Sequence, residues 1–477
     1  MKPTTDISSL ESLVQKLFYE VATLKEENAS LRSENLLLKQ ENELLRGRLN
    51  KNSQNSHKPP STDGLRKKTS PALVREKKSK LGGQQGHKGN TLKMVSLDKV
   101  DEKVVHHASN CSCCSRAFQV EEVELIVQTR QVFDLPTPRL EITAHQLGII
   151  TCCGQAHIGT FPSEVTAPVQ YGHRIKALVS LLHTDYRMPL DKISTLFDDL
   201  YEYNINDNTI IGATQKCYET LEEIENTIKE AVTQSEVAHF DETGMRVAAK
   251  LHWFHTACTT LFCYLFVHAK RGKVALEDAH SVLKDYMGWA VHDCWASYFD
   301  FSACKHVLCN AHILRELQAL VENRSIWAGR MHAFLLELYQ QSQKGTVILT
   351  NRDFWEEKFQ QICTQADLEE PPPIKGARGK PKNSKGRNLL NRLCKHKEAI
   401  LAFAFYESVP FTNNTAERDI RHVKVKQKVA MSFRTFHGAE IYARIQGFVI
   451  TTRKQKQNTF KELCRILKGE KYTFKTT

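Results

Sequence analysis

Leucine recurs every seventh residue at Leu10, Leu17, Leu24, Leu31, Leu38 and Leu45. Three residues before each stand Ile7, Val14, Val21, Asn28, Asn35 and Asn42, and Leu49 continues that second series. Leucine at d with β-branched residues at a favours a two-stranded parallel coiled coil, and asparagine at a fixes register at some cost in stability. The spacing predicts a helix over 7–49, about 64 Å long at 1.5 Å per residue, that associates with a second copy. A lone amphipathic helix would bury three asparagines for no gain.

Periodicity ends after Leu49. Residues 50–99 read as a basic flexible arm: polar through Ser61, basic from Arg66 to Lys80, then punctuated by Gly82, Gly83, Gly86 and Gly89 around His87 and Lys88. Glycines permit close approach of backbone to phosphate; a solvated linker is the plainer alternative. Residues 100–165 suggest a small β-rich module, with strands at 123–127 and 132–135, the second ended by Pro136 and Pro138. Residues 170–235 are helical in pattern and would link domains or bind DNA. From 236 to 470 short apolar runs at 237–240, 251–258, 261–267 and 289–291 predict strands, with a helix at 277–287. This order predicts an α/β domain, a mixed sheet flanked by helices. A helical insertion over 307–400, broken at Pro371–Pro373 and by a basic loop, precedes further helix over 436–467.

Charge adds a partner class. The 477 residues carry 66 Lys and Arg against 54 Asp and Glu, a net charge of +12. Residues 51–90 hold ten bases against two acids, and residues 371–397 hold nine against none. Such patches favour a polyanion, and flexible Lys and Arg neutralise phosphates. No run of about 18 apolar residues predicts a membrane span, and Met1–Ile7 lacks the apolar core of a signal peptide. The expected location is the cytoplasm, with the bacterial nucleoid.

Of fourteen cysteines, five cluster at Cys111, Cys113, Cys114, Cys152 and Cys153. In a reducing compartment this pattern suggests one structural zinc on Cys111, Cys114, Cys152 and Cys153, since four thiolates close a tetrahedral site. Adjacent cysteines tend to diverge, so Cys113, His145 or His157 can replace one of them.

Three acids carry the candidate chemistry. Asp241 and Asp293 each follow a strand-like run, and Glu417 heads a basic stretch with Arg418, Arg421 and Lys424. Hard carboxylate oxygens can hold two Mg²⁺ (or Mn²⁺) ions that activate an attacking oxygen and stabilise a leaving one. Glu242 competes for the first position and Asp300 for the second. An i,i+4 salt bridge from Glu417 to Arg421 is the plain alternative for the third.

These pieces fall in a familiar order. The zipper is followed by Lys51-Asn-Ser-Gln-Asn-Ser-His-Lys-Pro-Pro60, Gly82-Gly-Gln-Gln-Gly-His-Lys-Gly89, the paired cysteines and Tyr171-Gly172. Then come Asp241-Glu-Thr-Gly244, His292-Asp-Cys-Trp-Ala-Ser-Tyr298, Cys309-Asn-Ala-His-Ile-Leu-Arg-Glu-Leu317 and Asn413-Asn-Thr-Ala-Glu-Arg-Asp-Ile-Arg421. In that order they resemble the insertion-sequence-66 type of DDE transposases over nearly the whole chain. The resemblance implies an RNase-H-like core with Asp241, Asp293 and Glu417 as its metal-binding triad, a helical insertion before Glu417 and a zinc-ribbon-like module near Cys111. The chain departs from the pattern at Cys152-Cys153, where the second pair is usually spaced. The resemblance also places His312, Arg315 and Glu316 near the site, with His312 bonding DNA or a carboxylate and Arg315 contacting phosphate.

The implied function is metal-dependent cleavage of transposon ends and strand transfer into target DNA by a homodimer or higher oligomer. Terminal inverted repeats and target DNA are the expected partners, with accessory proteins of the element conceivable. Arg66, Lys67, Lys68, Lys88, Arg315, Arg418, Arg421 and Lys424 are the candidate DNA contacts. An inactive zipper-dimerised repressor and a simple metal-dependent nuclease are the alternatives; joined products separate them.

Overall fold

A computed structural model describes residues 7–49, 92–344, 351–372 and 383–475. The basic-arm candidates Arg66, Lys67, Lys68 and Lys88 lie outside the described residues. The described residues divide into two compact units, 92–144 with 200–202 in one, and 7–49 with 145–199 and the described residues from 203 to 475 in the other.

The predicted N-terminal helix is present as α1 (Ile7–Leu49). Within the single chain Val14, Leu17, Val21, Leu24, Leu31, Leu38 and Leu45 are all exposed along it.

In the smaller unit the strands expected at 123–127 and 132–135 do not form. Val127 and Val132 are each more than 90 % exposed, at 92 % and 91 %. β-Branched residues favour a strand only where a ladder and a packed face receive them. What holds locally is a tight loop: Asn110 bridges Ala117, the Cys111 N–H donates to the Arg116 carbonyl at 2.8 Å, and Ser115 takes φ 57°.

Beyond α1, the larger unit resumes with a hairpin of β1 (Ile149–Cys152) and β2 (Gln155–Ile158), turned by Cys153 and Gly154 at φ 55° and 78°. Positive φ at both central residues suits the right-handed twist of a two-residue hairpin. Four helices follow: α2 (His173–Thr184), α3 (Leu190–Tyr201), α4 (Asp207–Thr220) and α5 (Glu222–Thr233).

The principal sheet contains β3 (Val237–Val247), β4 (Lys250–Cys258), β5 (Cys263–His268), β6 (Trp289–His292), β7 (Lys305–Leu308) and β8 (Ser432–Phe433). Its order is β5-β4-β3-β6-β7, with β8 on β3. β3, β4 and β5 run antiparallel, while β6 and β7 run parallel to β3. Two expectations fail here. The helix predicted over 277–287 does not form: the short α6 (Lys273–Leu276) ends before it, and within it only a 3-10 turn at Leu283–Asp285 appears. The Asp278 carboxylate captures the His280 N–H at 2.8 Å, a local bond that competes with helix. The insertion expected from residue 307 begins later, because residues 305–308 are the parallel strand β7.

After β7 come α7 (Asn310–Glu322), α8 (Ile326–Ser342), α9 (Arg352–Glu369), α10 (Lys385–Lys395) and α11 (Lys397–Phe405). Trp327, Phe334, Phe359, Leu390 and Ile400 give them their own core, which reaches the sheet through Val291 and Val307. Trp327 is fully buried, and truncating such a side chain costs about 3–5 kcal/mol. The chain then returns through α12 (Asn414–Ala430), α13 (Phe436–Lys454) and α14 (Thr459–Leu467). Ile420, Val423 and Tyr442 from α12 and α13 cover one sheet face against Met245 and Phe254. α5 covers the other through Ile228 and Val232 against Phe240 and Tyr264.

Gly288, just before β6, is a position of close approach. A Cβ there would meet the Glu236 and Ser235 carbonyls at 2.5 and 2.7 Å. Gly288→Ala should cost about 1–3 kcal/mol as overpacking, seen as a lower urea midpoint with the slope unchanged. An unaltered midpoint would show that the entry to β6 is free to shift.

Candidate functional site

Strand alternation decides which acid of the Asp241-Glu242 pair faces which helix layer. Ala238 and Phe240 belong to the core shared with α5, whereas Met245 and Val247 belong to the core shared with α12 and α13. Successive strand residues point to opposite faces. Asp241 therefore shares the α12 face, and Glu242 turns the other way.

Glu242 is already committed. Its side chain is 2 % exposed and accepts from Arg271 Nε and Nη2 at 2.9 and 2.6 Å and from the Tyr298 hydroxyl at 2.5 Å. Arg271 in turn lies over the Trp295 ring at 4.3 Å and the Trp253 ring at 5.0 Å. Burial pushes the Glu242 carboxyl up, and Tyr298 and Arg271 oppose that shift. Glu242 is thus engaged by both a cation and a hydroxyl. Asp300 is exposed at the end of the 3-10 turn Ala296–Asp300.

Asp293 leaves the C-terminal end of β6. The parallel register pairs His239 with Val291; two residues further along each chain stand Asp241 and Asp293. The Trp295 N–H donates to Asp293 Oδ1 at 2.9 Å, which orients the carboxylate. The preceding His292 is fully buried, stacks on Tyr298 at 4.5 Å and bonds His306 at 2.9 Å. Burial pulls its pKa down to about 3, so it stays neutral.

Glu417 lies in the first turn of α12, where a carboxylate complements the positive end of the helix dipole. The turn is bolted to the sheet by Asn413, whose Nδ2 donates to the Phe240 carbonyl at 2.7 Å. Its Oδ1 accepts from His239 Nδ1 at 3.0 Å, and its backbone N–H donates to Cys309 Sγ at 3.1 Å. Glu417 Oε1 stands 3.8 Å from Cys309 Sγ and 3.6 Å from His312 Nδ1. No Glu417–Arg421 ion pair forms among the described residues. Cys309, His312 and Glu417 can in principle chelate a metal ion, their ligand atoms lying within 4.8 Å of one another.

Asp241 has a carboxyl pushed well above the usual aspartate range. Burial is the largest cause, followed by the negative charges of Glu242, Asp293 and Glu417. Carboxylates at positions 52 and 124 residues apart thus share one electrostatic neighbourhood. Crowded, desolvated oxygens of this kind fit a hard divalent cation, which replaces the proton and relieves the repulsion. A cavity of about 180 Å³ adjoins Asp293 and is lined by Arg271, Trp295, Cys309, His312 and Arg392 among others.

The basic candidates differ in placement. Arg418 and Arg421 are exposed on α12, Arg418 at 71 % of its side chain. Lys424 Nζ donates to the Gly244 carbonyl at 2.6 Å and to Gln427 Oε1 at 3.2 Å, which ties α12 to β3. Arg315 is half-buried on α7, and Glu316 pairs with Arg392 of α10. Sequence reasoning missed Asn413 and Cys309, although both sit inside the motifs it had singled out.

The cysteine pairs are described separately. The N–H groups of Cys114 and Cys113 hold the Cys111 thiol below its ordinary value. Cys152 and Cys153 do not diverge as expected: their sulfurs are 3.7 Å apart, because Cys153 turns through positive φ. Cys113, His145 and His157 are exposed.

A mixed sheet with carboxylates gathered at the meeting of β3, β6 and a returning helix describes an α/β protein with a candidate metal-dependent acidic centre. Residues 168–441 match the Transposase IS66 family, more than half of the chain. The chain belongs to that family and is a DDE-type DNA transposase by membership. Residues 6–93 match a further family described as of unknown function, DUF6444. None of the curated proteins matches the chain. No helix among the described residues is long and apolar enough to cross a membrane.

Asp241 supplies a stability test. It ionises at lower pH in the unfolded chain than in the fold, so stability falls as pH rises from the ordinary aspartate range toward the folded value. Metal-free Asp241→Asn should therefore be more stable than the unaltered chain at neutral pH. A divalent ion at 100 times its Kd should add about 2.7 kcal/mol to the unaltered chain only. Thermal unfolding with and without Mg²⁺ checks both; a less stable metal-free variant would mean that Asp241 is already satisfied.

Proposed function

We propose that Asp241, Asp293 and Glu417 form the catalytic centre of an RNase-H-like core that cleaves transposon ends and joins them to target DNA. The observation that carries this is the parallel register of β3 and β6, which leads to Asp241 and Asp293 two residues beyond the His239–Val291 pair, together with the Asn413 amide that ties the Glu417 turn to the Phe240 carbonyl. The strand order, with three antiparallel strands continued by two parallel ones and a helical insertion before the third acid, supports the same core.

The three carboxylates would hold the metal. When bound, a pair of Mg²⁺ or Mn²⁺ ions supplies activation of the attacking oxygen and stabilisation of the leaving one. The protein's own residues set the geometry: Trp295 orients Asp293 through its N–H, and Asn413 fixes the Glu417 turn against β3. In the first step water oxygen attacks the end phosphorus and the bond to the transposon 3′ oxygen breaks, leaving a 3′-hydroxyl. That hydroxyl then attacks a target phosphorus, and the target 3′ oxygen leaves.

DNA would be held by Arg418 and Arg421 on the exposed side of α12, with Arg315, Lys424, Arg66, Lys67, Lys68 and Lys88 as further phosphate contacts. Lys424 would have to release Gly244 to do so. One structural zinc is proposed for Cys111, Cys114, Cys152 and Cys153. The 3.7 Å spacing of the Cys152 and Cys153 sulfurs supports it, because thiolates about 2.3 Å from a tetrahedral zinc lie about 3.8 Å apart. The remaining assignments are a parallel homodimer through α1, a cytoplasmic place at the nucleoid, and the domain boundaries expected from sequence.

Asp293→Asn should abolish both cleaved and joined products, by more than about 100-fold, beyond what loss of a partner behind a metal ligand costs. A labelled terminal repeat incubated with Mg²⁺ reads both products. DNA affinity should survive with its steep salt dependence, which the basic arm would supply. Cleavage retained in the variant would remove Asp293 from the centre, and cleavage by the unaltered chain without joining would leave a nuclease.

The exposed leucine stripe of α1 should make a peptide of residues 7–49 sediment as a dimer at roughly 100 µM. A monomer at that concentration would deny it independent pairing.

A further inference from the structure

We infer that Cys309, His312 and Glu417 form a binding site for a borderline-soft divalent cation of the zinc class, distinct from the all-oxygen carboxylate set and competing with it for Glu417. The competition rests on Glu417 belonging to the proposed catalytic centre; the site itself does not.

The geometry arises from one helix start meeting another. Cys309 caps α7 directly after β7, and His312 follows at i+3, the spacing that puts two side chains on the same helical face. Glu417 arrives from the first turn of α12. Glu417 Oε1 lies 3.8 Å from the sulfur and 3.6 Å from the imidazole nitrogen, and all three ligand atoms lie within 4.8 Å of one another. For zinc bonds of about 2.3 Å to sulfur and about 2.0–2.2 Å to nitrogen or oxygen, the edges of a tetrahedron are about 3.3–3.6 Å. The sulfur–oxygen and nitrogen–oxygen edges are within a few tenths of an ångström of that shape, which small side-chain rotations can absorb.

The donors are held before any ion arrives. The Cys309 N–H donates to the His292 carbonyl at 2.9 Å, and the His312 N–H donates to the Cys309 carbonyl at 3.2 Å. The Asn413 N–H at 3.1 Å from Cys309 Sγ is the kind of donor that stabilises a coordinated thiolate. On the far side Asn310 Nδ2 donates to the Ile400 carbonyl at 3.0 Å and anchors the helix start.

Donor hardness separates the two sets. Thiolate and imidazole suit zinc, whereas Mg²⁺ takes carboxylates and retains water. Three protein donors leave a fourth tetrahedral position for water or a phosphate oxygen. The cavity beside Asp293 reaches Cys309 and His312 and gives that position an outlet. An ion here draws Glu417 Oε1 away from the Asp241 and Asp293 side, so zinc inhibits the Mg²⁺-dependent reaction.

The test uses the full-length protein, stripped by chelator, re-equilibrated with zinc and assayed for zinc per chain. Cys309→Ser and His312→Gln should each hold one zinc fewer than the unaltered chain, whatever the Cys111–Cys153 region holds. Cobalt(II) loading should show a weaker thiolate charge-transfer band in Cys309→Ser. Circular dichroism and thermal melting verify folding; should Cys309→Ser unfold, His312→Gln at the partly exposed helix start carries the measurement. Equal zinc in the unaltered chain and a folded His312→Gln variant overturns the site. In the cleavage assay, micromolar zinc should suppress Mg²⁺-dependent turnover. Unaffected turnover with the zinc count reduced as expected in the variants overturns the competition. A chain that binds the extra zinc but never cleaves DNA would instead remove the catalytic reading and leave the metal site standing.

Discussion

Asn413 is 2 % exposed, yet its polar groups find partners on the principal sheet and its neighbour. Its amide donates to the carbonyl immediately before Asp241, its oxygen receives His239, and its backbone N–H reaches the cysteine that starts α7. Burial pulls the pKa of His239 down to about 4, which leaves it neutral and able to donate from Nδ1. A buried polar group stripped of its partner costs about 1–3 kcal/mol. That penalty holds the first turn of α12, and so Glu417, in register with β3. Hydrophobic cover from Ile420 and Val423 sets the helix on the sheet but permits sliding; the amide fixes where it stops.

Opposed to this anchor is the repulsion among the acids. Half-buried Asp241 feels the charges of Glu242, Asp293 and Glu417, and of these acids Glu242 has its own cation and hydroxyl partners. The fold therefore stores unfavourable electrostatics at Asp241 and stabilises it elsewhere, through the cores on both sheet faces. Such stored cost is common where a site must accept a cation. Glu242 shows what a purely structural carboxylate looks like at the next position: enclosed, doubly bonded and stacked behind an Arg271–Trp295 contact.

Much of this was legible in the sequence because it depends on short-range pattern. Heptads located α1 to the residue, and the run at 289–291 located the strand that delivers Asp293; the run at 237–240 marked only the start of β3, which continues through Asp241 to Val247. The choice between Asp241 and Glu242 was not legible, because alternation assigns faces only once the sheet's two covers are known. β7 was missed because Lys305–Leu308 is four residues long and sits between a turn and a helix. The helix expected at 277–287 lost to an aspartate that bonds its own backbone, and the strands at 123–127 and 132–135 lacked a ladder. The convergence of the Cys152 and Cys153 sulfurs depends on backbone φ, which residue type alone does not reveal.

The insertion between the second and third acids explains how so long an excursion leaves the centre undisturbed. It departs at Cys309-Asn310 and returns at Phe411–Asn413, and the two ends are sewn together by the Asn310 N–H to the Phe411 carbonyl at 3.1 Å and the Asn413 N–H to Cys309 Sγ. Closing a long loop costs only about 0.6 kcal/mol for each doubling of its length. Once the ends are joined, the length between them matters little to Glu417. The helices inside have a core of their own around Trp327 and Phe359, so their stability does not depend on the acids. Their placement still matters to the chemistry, because α7 starts at the seam. Its first turn carries Cys309 and His312 to Glu417, and its next turn carries Glu316 to Arg392 at the wall of the cavity beside Asp293. The insertion therefore packs against the surroundings of both Glu417 and Asp293.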